Sequence, residues 1–402
     1  MQDVGGSLGA GSAQRYIALD SLRGICAILV ALYHFHTMGV IVNSALVLHS
    51  YIFVDFFFVL SGFVIAASYG ERLRHGFGVT RFMMLRAGRL LPLHLVVLGA
   101  FLAFEVAGTV LVPGLFRRAP FSDDFSIPAL IYAIFLVHIF VGPLENKWNA
   151  PSWSIAAEFW TYLIFAAARR YLGARIVTIS LVLVAGSIAF LIYGKSIGMS
   201  TVRGGALPRC LYGFGVGTLA FELFRRLREP TGWTHVSGGR PGVSTACEIL
   251  AIATCVVLTM ISPGLFVQPI FAATVILFAF ERGRVSRMLR WKPFVFLGTL
   301  SYSIYMTHEF IEFRVNNMFD MLDKMTGDRF HFLLVEGELR RVGVSPLFGD
   351  IVTIATMGLI VAVSYLTYRL IELPGQRWSR DMIHRRADRG KVERTEEAAP
   401  TF

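Results

Sequence analysis

Long apolar stretches, separated by short polar segments, fill most of the chain between residues 17 and 371. About 20 apolar residues in a helix span the hydrocarbon core of a bilayer, and tilt or ragged ends widen that range. Ten stretches meet this criterion: Ile17–Ile41, Ala45–Tyr69, Leu90–Val112, Trp153–Ala168, Ile176–Tyr193, Gly205–Phe224, Ser244–Ile261, Leu265–Phe280, Phe294–Phe313 and Ile351–Ile371. The pattern therefore predicts an all-α protein, a polytopic transmembrane bundle of about ten spanning helices.

An eleventh apolar stretch, Ile127–Val141, is shorter than a spanning helix and carries His138. We expect it to form a re-entrant or interfacial helix, as stretches of this length often do. The positive-inside rule supports this interpretation, because Lys and Arg concentrate on the cytoplasmic side only if the stretch does not span. Both termini are then predicted to be cytoplasmic, and Pro113–Ser152 and Arg314–Ser345 to face outward.

Composition supports the membrane assignment, since 55% of residues are hydrophobic and only 16% are charged. In a soluble protein a net charge of +11 would suggest nucleic acid as a partner. Here the basic residues lie mainly in short loops between apolar stretches, where orientation in a bilayer requires them. We therefore expect membrane lipids as surroundings and no nucleic acid. The four cysteines lack the spacing of metal ligands, so no metal is expected.

The two ends of the chain differ from its centre. Residues 1–14 and 381–402 are polar, charged or small, and we expect both to be disordered. This leaves residues 15–380 as one membrane domain. We expect no cleaved signal peptide, because the first residues have no basic segment and the first apolar stretch is too long. We also expect no soluble domain after the last helix.

Ionisable residues form a line along the first predicted helix. Arg23 and His34 are eleven residues apart, which is about 20° past three full turns, so they share one face about 16 Å apart. Asp20 lies close to the same line. Ionisable groups are costly inside a bilayer and often mark a functional polar path. The alternative is an Asp20–Arg23 ion pair at the inner boundary and a histidine with satisfied hydrogen bonds in the core.

Three more ionisable residues are predicted at the same depth as His34. At a rise of 1.5 Å per residue, Asp55, Glu158 and His308 all fall in the outer half of their helices. A neutral imidazole can take a proton from a hydroxyl, and a carboxylate can fix its tautomer. The four residues are therefore candidates for a catalytic general base and its orienting partners.

Arg86 and Arg89 are predicted at the cytoplasmic face, where the third spanning helix begins. Paired guanidinium groups suit bidentate binding of phosphate. The alternative is that these arginines only set topology, since basic residues belong in cytoplasmic loops.

Taken together in order, six short motifs resemble those of the acyltransferase-3 family of integral membrane O-acyltransferases. The resemblance runs from about residue 15 to residue 380. The motifs are Leu19–Gly24 with His34, Asp55–Phe63, Arg86–Pro92, Trp153–Glu158, Leu297–His308 and Arg369–Pro374.

The resemblance implies that the protein moves an acyl group, most often acetyl from acetyl-CoA, onto hydroxyls of cell-envelope or exported saccharides. The Arg-x10-His pair of the family corresponds to Arg23 and His34, and its Arg-x-x-Arg motif to Arg86 and Arg89. We expect acyl-CoA to bind from the cytoplasm and the acceptor from outside a cytoplasmic (inner) membrane. Arg23 either holds part of the donor or anchors Asp20.

On the same resemblance, His34 is expected to deprotonate the acceptor hydroxyl, with Asp55 or Glu158 orienting it and His308 nearby. A covalent acyl-histidine intermediate remains an alternative, because imidazole is also a nucleophile. The motifs further suggest three substrate-binding residues: Trp153, Ser154 and Tyr302.

A transporter is the rival hypothesis. In a proton-coupled exporter or flippase of glycans or lipid-linked sugars, the membrane-embedded ionisable residues would relay protons. Transporters of this kind often contain inverted repeats with paired broken helices, and the sequence has none that we detect.

Overall fold

A computed structural model describes the protein at residues 15–110, 119–141, 147–172, 175–194, 205–228, 241–261, 264–327, 329–333, 340–383 and 385. Within these residues the chain is a bundle of α-helices with one small hairpin. The helices are α1 (Ile17–His34), α2 (Ala45–Leu48), α3 (Phe53–Arg74), α4 (Val79–Val110), α5 (Ile127–Ile134), α6 (Ser152–Tyr171), α7 (Ile176–Tyr193), α8 (Ala206–Arg228), α9 (Pro241–Ile261), α10 (Val267–Ala279), α11 (Arg284–Leu289), α12 (Lys292–Thr326) and α13 (Pro346–Thr367).

Each of the ten apolar stretches overlaps an α-helix, although the second stretch includes α2 and a 3-10 turn, Ser50–Ile52, before α3 begins. The protein is therefore a multi-pass membrane helix bundle. Six of the described helical segments are long and apolar enough to cross a bilayer: Ile17–His34, Ser50–Arg74, Val79–Val110, Ile176–Tyr193, Gly242–Ile261 and Pro346–Ile383. Helices α6, α8 and α12 are also long, but they are not apolar enough to be among these six segments. The total of ten spans and the orientation of the termini remain predictions.

The eleventh stretch forms no continuous helix. Helix α5 has 8 residues and ends before Leu136, whose φ of 56° lies in the left-handed region. A single 3-10 turn, His138–Phe140, follows. A helix of 8 residues rises only about 12 Å, which is far short of the bilayer core.

Several predicted boundaries were wrong. The first helix ends at His34 and not at Ile41, because His36 and Met38 pair through their backbones with Val342 instead.

The two largest errors came from following hydrophobicity alone. Helix α4 begins at Val79, not Leu90, so Arg86 and Arg89 are helical and not in a loop. Helix α12 likewise continues to Thr326, past the expected end at Phe313. Helical hydrogen bonding does not depend on apolar side chains, and Arg, Met, Leu, Glu and Lys favour helices wherever they lie.

The all-α prediction needs a small correction. Strands β1 (His331–Leu333) and β2 (Arg340–Val342) form an antiparallel hairpin after α12. Val342 also pairs with Thr37, which follows α1. Backbone pairing therefore ties the segment after α1 to the segment after α12.

The predicted disordered segment 1–14 lies outside the described residues. So does most of the segment 381–402, but residues 381–383 are helical and continue the helix that follows α13. A π-helical turn, Tyr368–Glu372, joins α13 to the helical residues that follow it, and Glu372 in this turn is buried.

Helices α1 and α12 pack together at two glycines. A Cβ atom on Gly298 would lie less than 3.0 Å from the backbone of Asp20 and Ser21, and one on Gly24 would collide with Leu297 and Gly298. Small residues let helix backbones approach closely, as in other membrane helix pairs. The two helices run in the same direction from this close contact, so the C-terminal end of α1 lies beside the middle of α12.

Candidate active site

Two histidines meet where α1 ends. The Nε2 atom of His308 lies 3.3 Å from Nδ1 of His34, and the ring centroids are 5.1 Å apart. His308 is fully buried and His34 is half-buried, whereas neighbouring His36 is exposed. The sequence predicted His34 and His308 at equal depth, and the packing of α1 on α12 brings them together.

The hydrogen bonds of the pair indicate its tautomers. Nδ1 of His34 is 2.9 Å from the carbonyl oxygen of Val30, and Nδ1 of His308 is 3.2 Å from that of Ile304. A carbonyl only accepts, so both Nδ1 atoms carry the hydrogen. The single Nδ1–H of His34 then donates mainly to Val30, with Nε2 of His308 as a more distant second acceptor. Nε2 of His34 keeps its lone pair and has no hydrogen bond among the described residues. That atom is the basic one.

A cavity of about 100 Å³ lies between helices α1, α3, α4, α6 and α12. Its lining along α3 extends from Val54 to Ile65, which is about 16 Å of helix. Six of the predicted site residues line it: Arg23, Arg86, Arg89, Ser154, Glu158 and Tyr302. The structure thus gathers side chains from distant parts of the sequence around one narrow space.

Arg86 and Arg89 of α4 face this cavity. Arg86 donates from Nη2 to the hydroxyl of Tyr69 at 3.3 Å, and its guanidinium lies 5.9 Å from the ring of Tyr162. Its buried Nε has no hydrogen-bond partner among the described residues. The carboxylates of Glu372 and Glu158 lie close enough to Arg89 to attract its charge. The cavity is therefore lined by positively charged side chains, and at least one N–H group of Arg86 is available to donate to a ligand.

Arg23 is held firmly by its surroundings. Its Nε donates to Oγ of Ser301 at 2.8 Å, and Nη2 lies 3.3 Å from both the carbonyl oxygen of Gly298 and Oδ1 of Asp20. Both sequence-based interpretations of Arg23 therefore fit the structure, because it pairs with Asp20 and also lines the cavity.

The two carboxylates do not hydrogen-bond to His34 as we expected. Glu158 accepts from the hydroxyl of Tyr162 at 2.5 Å, and that hydroxyl lies 2.8 Å from Oγ of Ser61. Equal depth in the bilayer does not imply contact, because side chains at one level can point in different directions around their helices. The ring of His34 instead contacts the carbonyl oxygen of Val30 and Nε2 of His308.

Asp55 is paired elsewhere. Arg209 donates to its two carboxylate oxygens at 2.9 Å and 2.6 Å, and Gln268 donates at 2.9 Å. The guanidinium of Arg209 also lies 5.4 Å from the ring of Trp153, which packs on Phe58. Trp153 is buried in this packing and is not among the cavity-lining residues, so its expected contact with substrate is not apparent.

Tyr305 connects the cavity with the histidine pair. Its ring centroid lies 5.8 Å from that of His308, and its hydroxyl lies 2.8 Å from Oγ of Ser154. Tyr302 donates to the carbonyl oxygen of Leu90 at 2.5 Å. The tyrosines belong to the motif that ends at His308.

Sequence reasoning missed Tyr305, Tyr162 and Arg209 as site residues. Tyr305 lies one helical turn before His308, and Arg209 is a lone cation within an apolar stretch. A buried cation needs a counter-charge, so Arg209 could have been matched to Asp55. Tyr162 gave no comparable signal.

Comparison with known proteins gives one match over most of the chain and one over about a quarter of it. A family model described as an acyltransferase domain, that of the acyltransferase-3 family, matches residues 16–369. "Protein 2 in picA locus" of Rhizobium radiobacter is 35% identical over 99 residues, which are 24% of this chain. The chain spans 50% of the length of that curated relative. No solved structure matches.

Proposed function

The chain belongs to the acyltransferase-3 family and is a multi-pass membrane acyltransferase, and on this premise we propose that it carries acetyl from cytoplasmic acetyl-CoA to a saccharide hydroxyl outside the cell membrane. Family membership favours this enzyme over the transporter considered above. We further propose an inner-membrane location, cytoplasmic termini and residues 15–380 as the catalytic domain.

The observation that carries the proposal is the His34–His308 pair, which does not line the cavity but is connected to it through Tyr305. A general base must reach the proton that it removes, and an acyl donor needs a passage to the same point. The lining from Val54 to Ile65 follows about 16 Å of α3, a length that supports a passage of this kind.

In the proposed reaction, Nε2 of His34 accepts the proton of the acceptor hydroxyl, and the hydroxyl oxygen attacks the thioester carbonyl carbon. The new ester C–O bond forms, the C–S bond breaks, and the CoA thiolate leaves and takes up a proton. His308 acts as a positioning residue, because it accepts from Nδ1–H of His34 and so keeps Nε2 basic. General-base catalysis typically contributes 10²–10⁴-fold in rate.

The remaining predicted residues have supporting roles in this proposal. Arg86 and Arg89 bind phosphate groups of the donor, and Arg23 contributes positive charge along its path. Ser154 and Tyr302 line the cavity near the acceptor. Glu158 orients the hydroxyl of Tyr162 by accepting its hydrogen bond, and that hydroxyl also contacts Ser61.

The direct test uses purified protein, radiolabelled acetyl-CoA and a panel of envelope glycans. We expect label on a glycan with wild-type protein, and loss of transfer with retained folding and donor binding in His34→Gln. Gln keeps a polar side chain but cannot accept the proton. His36→Ala is the matched control and should remain near wild-type activity, because His36 is exposed and lies beyond the end of α1. Full activity of His34→Gln would refute the assignment, and label retained on the protein would indicate an acyl-histidine.

A further inference from the structure

A cluster of aromatic rings and a guanidinium lies next to Arg86, outside the cavity. Tyr69 is one turn beyond Ile65 on α3, and its hydroxyl accepts from Arg86. The guanidinium of Arg72 lies 4.5 Å from the ring centroid of Phe77 and 5.1 Å from that of Tyr69. The two rings are 5.9 Å apart. The cluster is therefore continuous with the arginine end of the cavity.

The turn between α3 and α4 builds this cluster. Gly76 has a φ of +100°, a conformation that other residues rarely adopt, and it reverses the chain directly after α3. The backbone N–H of Phe77 then donates to the carbonyl oxygen of Arg72 at 2.8 Å. The turn thereby places the Phe77 ring against Arg72, whose side chain remains exposed.

The size of the cavity leaves the bulky end of the donor outside. A volume of about 100 Å³ is well below the roughly 300–1,000 Å³ of sites that enclose whole drug-sized ligands. A cavity of this volume cannot enclose an adenosine bisphosphate. The nucleotide of a donor that enters past Arg86 must therefore rest on the surface beside Tyr69.

We propose that Arg72, supported by Tyr69 and Phe77, is the adenine-binding platform of the acyl-CoA donor, an inference that rests on the proposed function. Guanidinium planes stack on nucleobases, and the two aromatic rings hold the plane of Arg72 in place. The exposed face of Arg72 stacks on the adenine, while Arg86 and Arg89 meet phosphate groups nearer the cavity.

The test compares two donors on full-length protein in nanodiscs: acetyl-CoA, and S-acetyl-4′-phosphopantetheine, which lacks the adenosine. The key variant is Arg72→Lys, which keeps the charge but removes the stacking plane. Its matched control is Arg74→Lys, because Arg74 is exposed on the same turn of α3 and pairs with Glu71. Phe77→Leu is a second variant that removes the supporting ring but retains apolar bulk.

We expect Arg72→Lys to weaken acetyl-CoA binding about 5- to 150-fold, the range for loss of one base stack, and Phe77→Leu also to weaken it. Binding of acetyl-phosphopantetheine should stay unchanged, and Arg74→Lys should bind both donors like wild type. An equal loss of affinity for both donors, or an unchanged acetyl-CoA affinity in Arg72→Lys, would refute the adenine-binding platform without refuting the proposed function. Wild-type protein that binds neither donor would refute the proposed function itself.

Discussion

The buried ion pair between Asp55 and Arg209 allows a sharp test of whether Asp55 is structural or catalytic. Its side chains are 0% and 4% exposed, and each partner compensates the charge of the other. Removing one partner of such a pair leaves an uncompensated buried charge, which costs about 3–5 kcal/mol. With an unfolding entropy of about 2.1 cal/mol/K per residue over 402 residues, this corresponds to a loss of about 4–6 °C in Tm.

We therefore expect Asp55→Asn and Arg209→Met each to lower Tm by several degrees, and the double variant to melt closer to wild type than either single variant. The measurement is thermal unfolding of the purified protein in detergent. Arg226→Met is the matched control, because Arg226 lies on the same helix and its pair with Glu222 is exposed, worth at most about 1 kcal/mol.

Additive losses in the double variant would refute the reasoning, since they would mean that the two side chains act independently. The same variants address catalysis. If the double variant regains stability and donor binding and also transfers acetyl, Asp55 is structural. If it is stable but inactive, the carboxylate itself takes part in the reaction, as first expected from the sequence.

Three further predictions follow from topology, charge and packing. In a cysteine-free background, Lys147→Cys should react with an impermeant thiol reagent added outside cells, and labelling only from the cytoplasmic side would reverse the proposed orientation. Replacing Arg86 and Arg89 with Ala should weaken acetyl-CoA binding, because each charge-assisted contact is worth about 1.5–3 kcal/mol. Lys at both positions should restore the affinity only in part. An unchanged affinity in the folded Ala variant would mean that these arginines serve only to set topology. Gly298→Val should lower stability by about 1–3 kcal/mol through overpacking against the α1 backbone, whereas Gly358→Val, with open space around its Cβ, should not, and equal Tm values would contradict the tight crossing.

The sequence alone was sufficient to predict the helices and the shared face of Arg23 and His34. Both follow from local properties, namely the length of an apolar stretch and a period of 3.6 residues per turn. Helix ends were less predictable, because Val79–Arg89 and the last turns of α12 are helical without being apolar. The order of six motifs was enough to indicate the family.

Only the tertiary structure decided which side chains meet. Periodicity within a helix shows which residues share a face, but not which neighbouring helix that face contacts or at what offset. The glycine crossing of α1 and α12 brings His308 to His34, while the packing of α3 against α8 directs Asp55 to Arg209. Four ionisable groups predicted at one depth therefore separate into a histidine pair, a buried ion pair and a carboxylate bound to Tyr162, because contact depends on direction as well as depth.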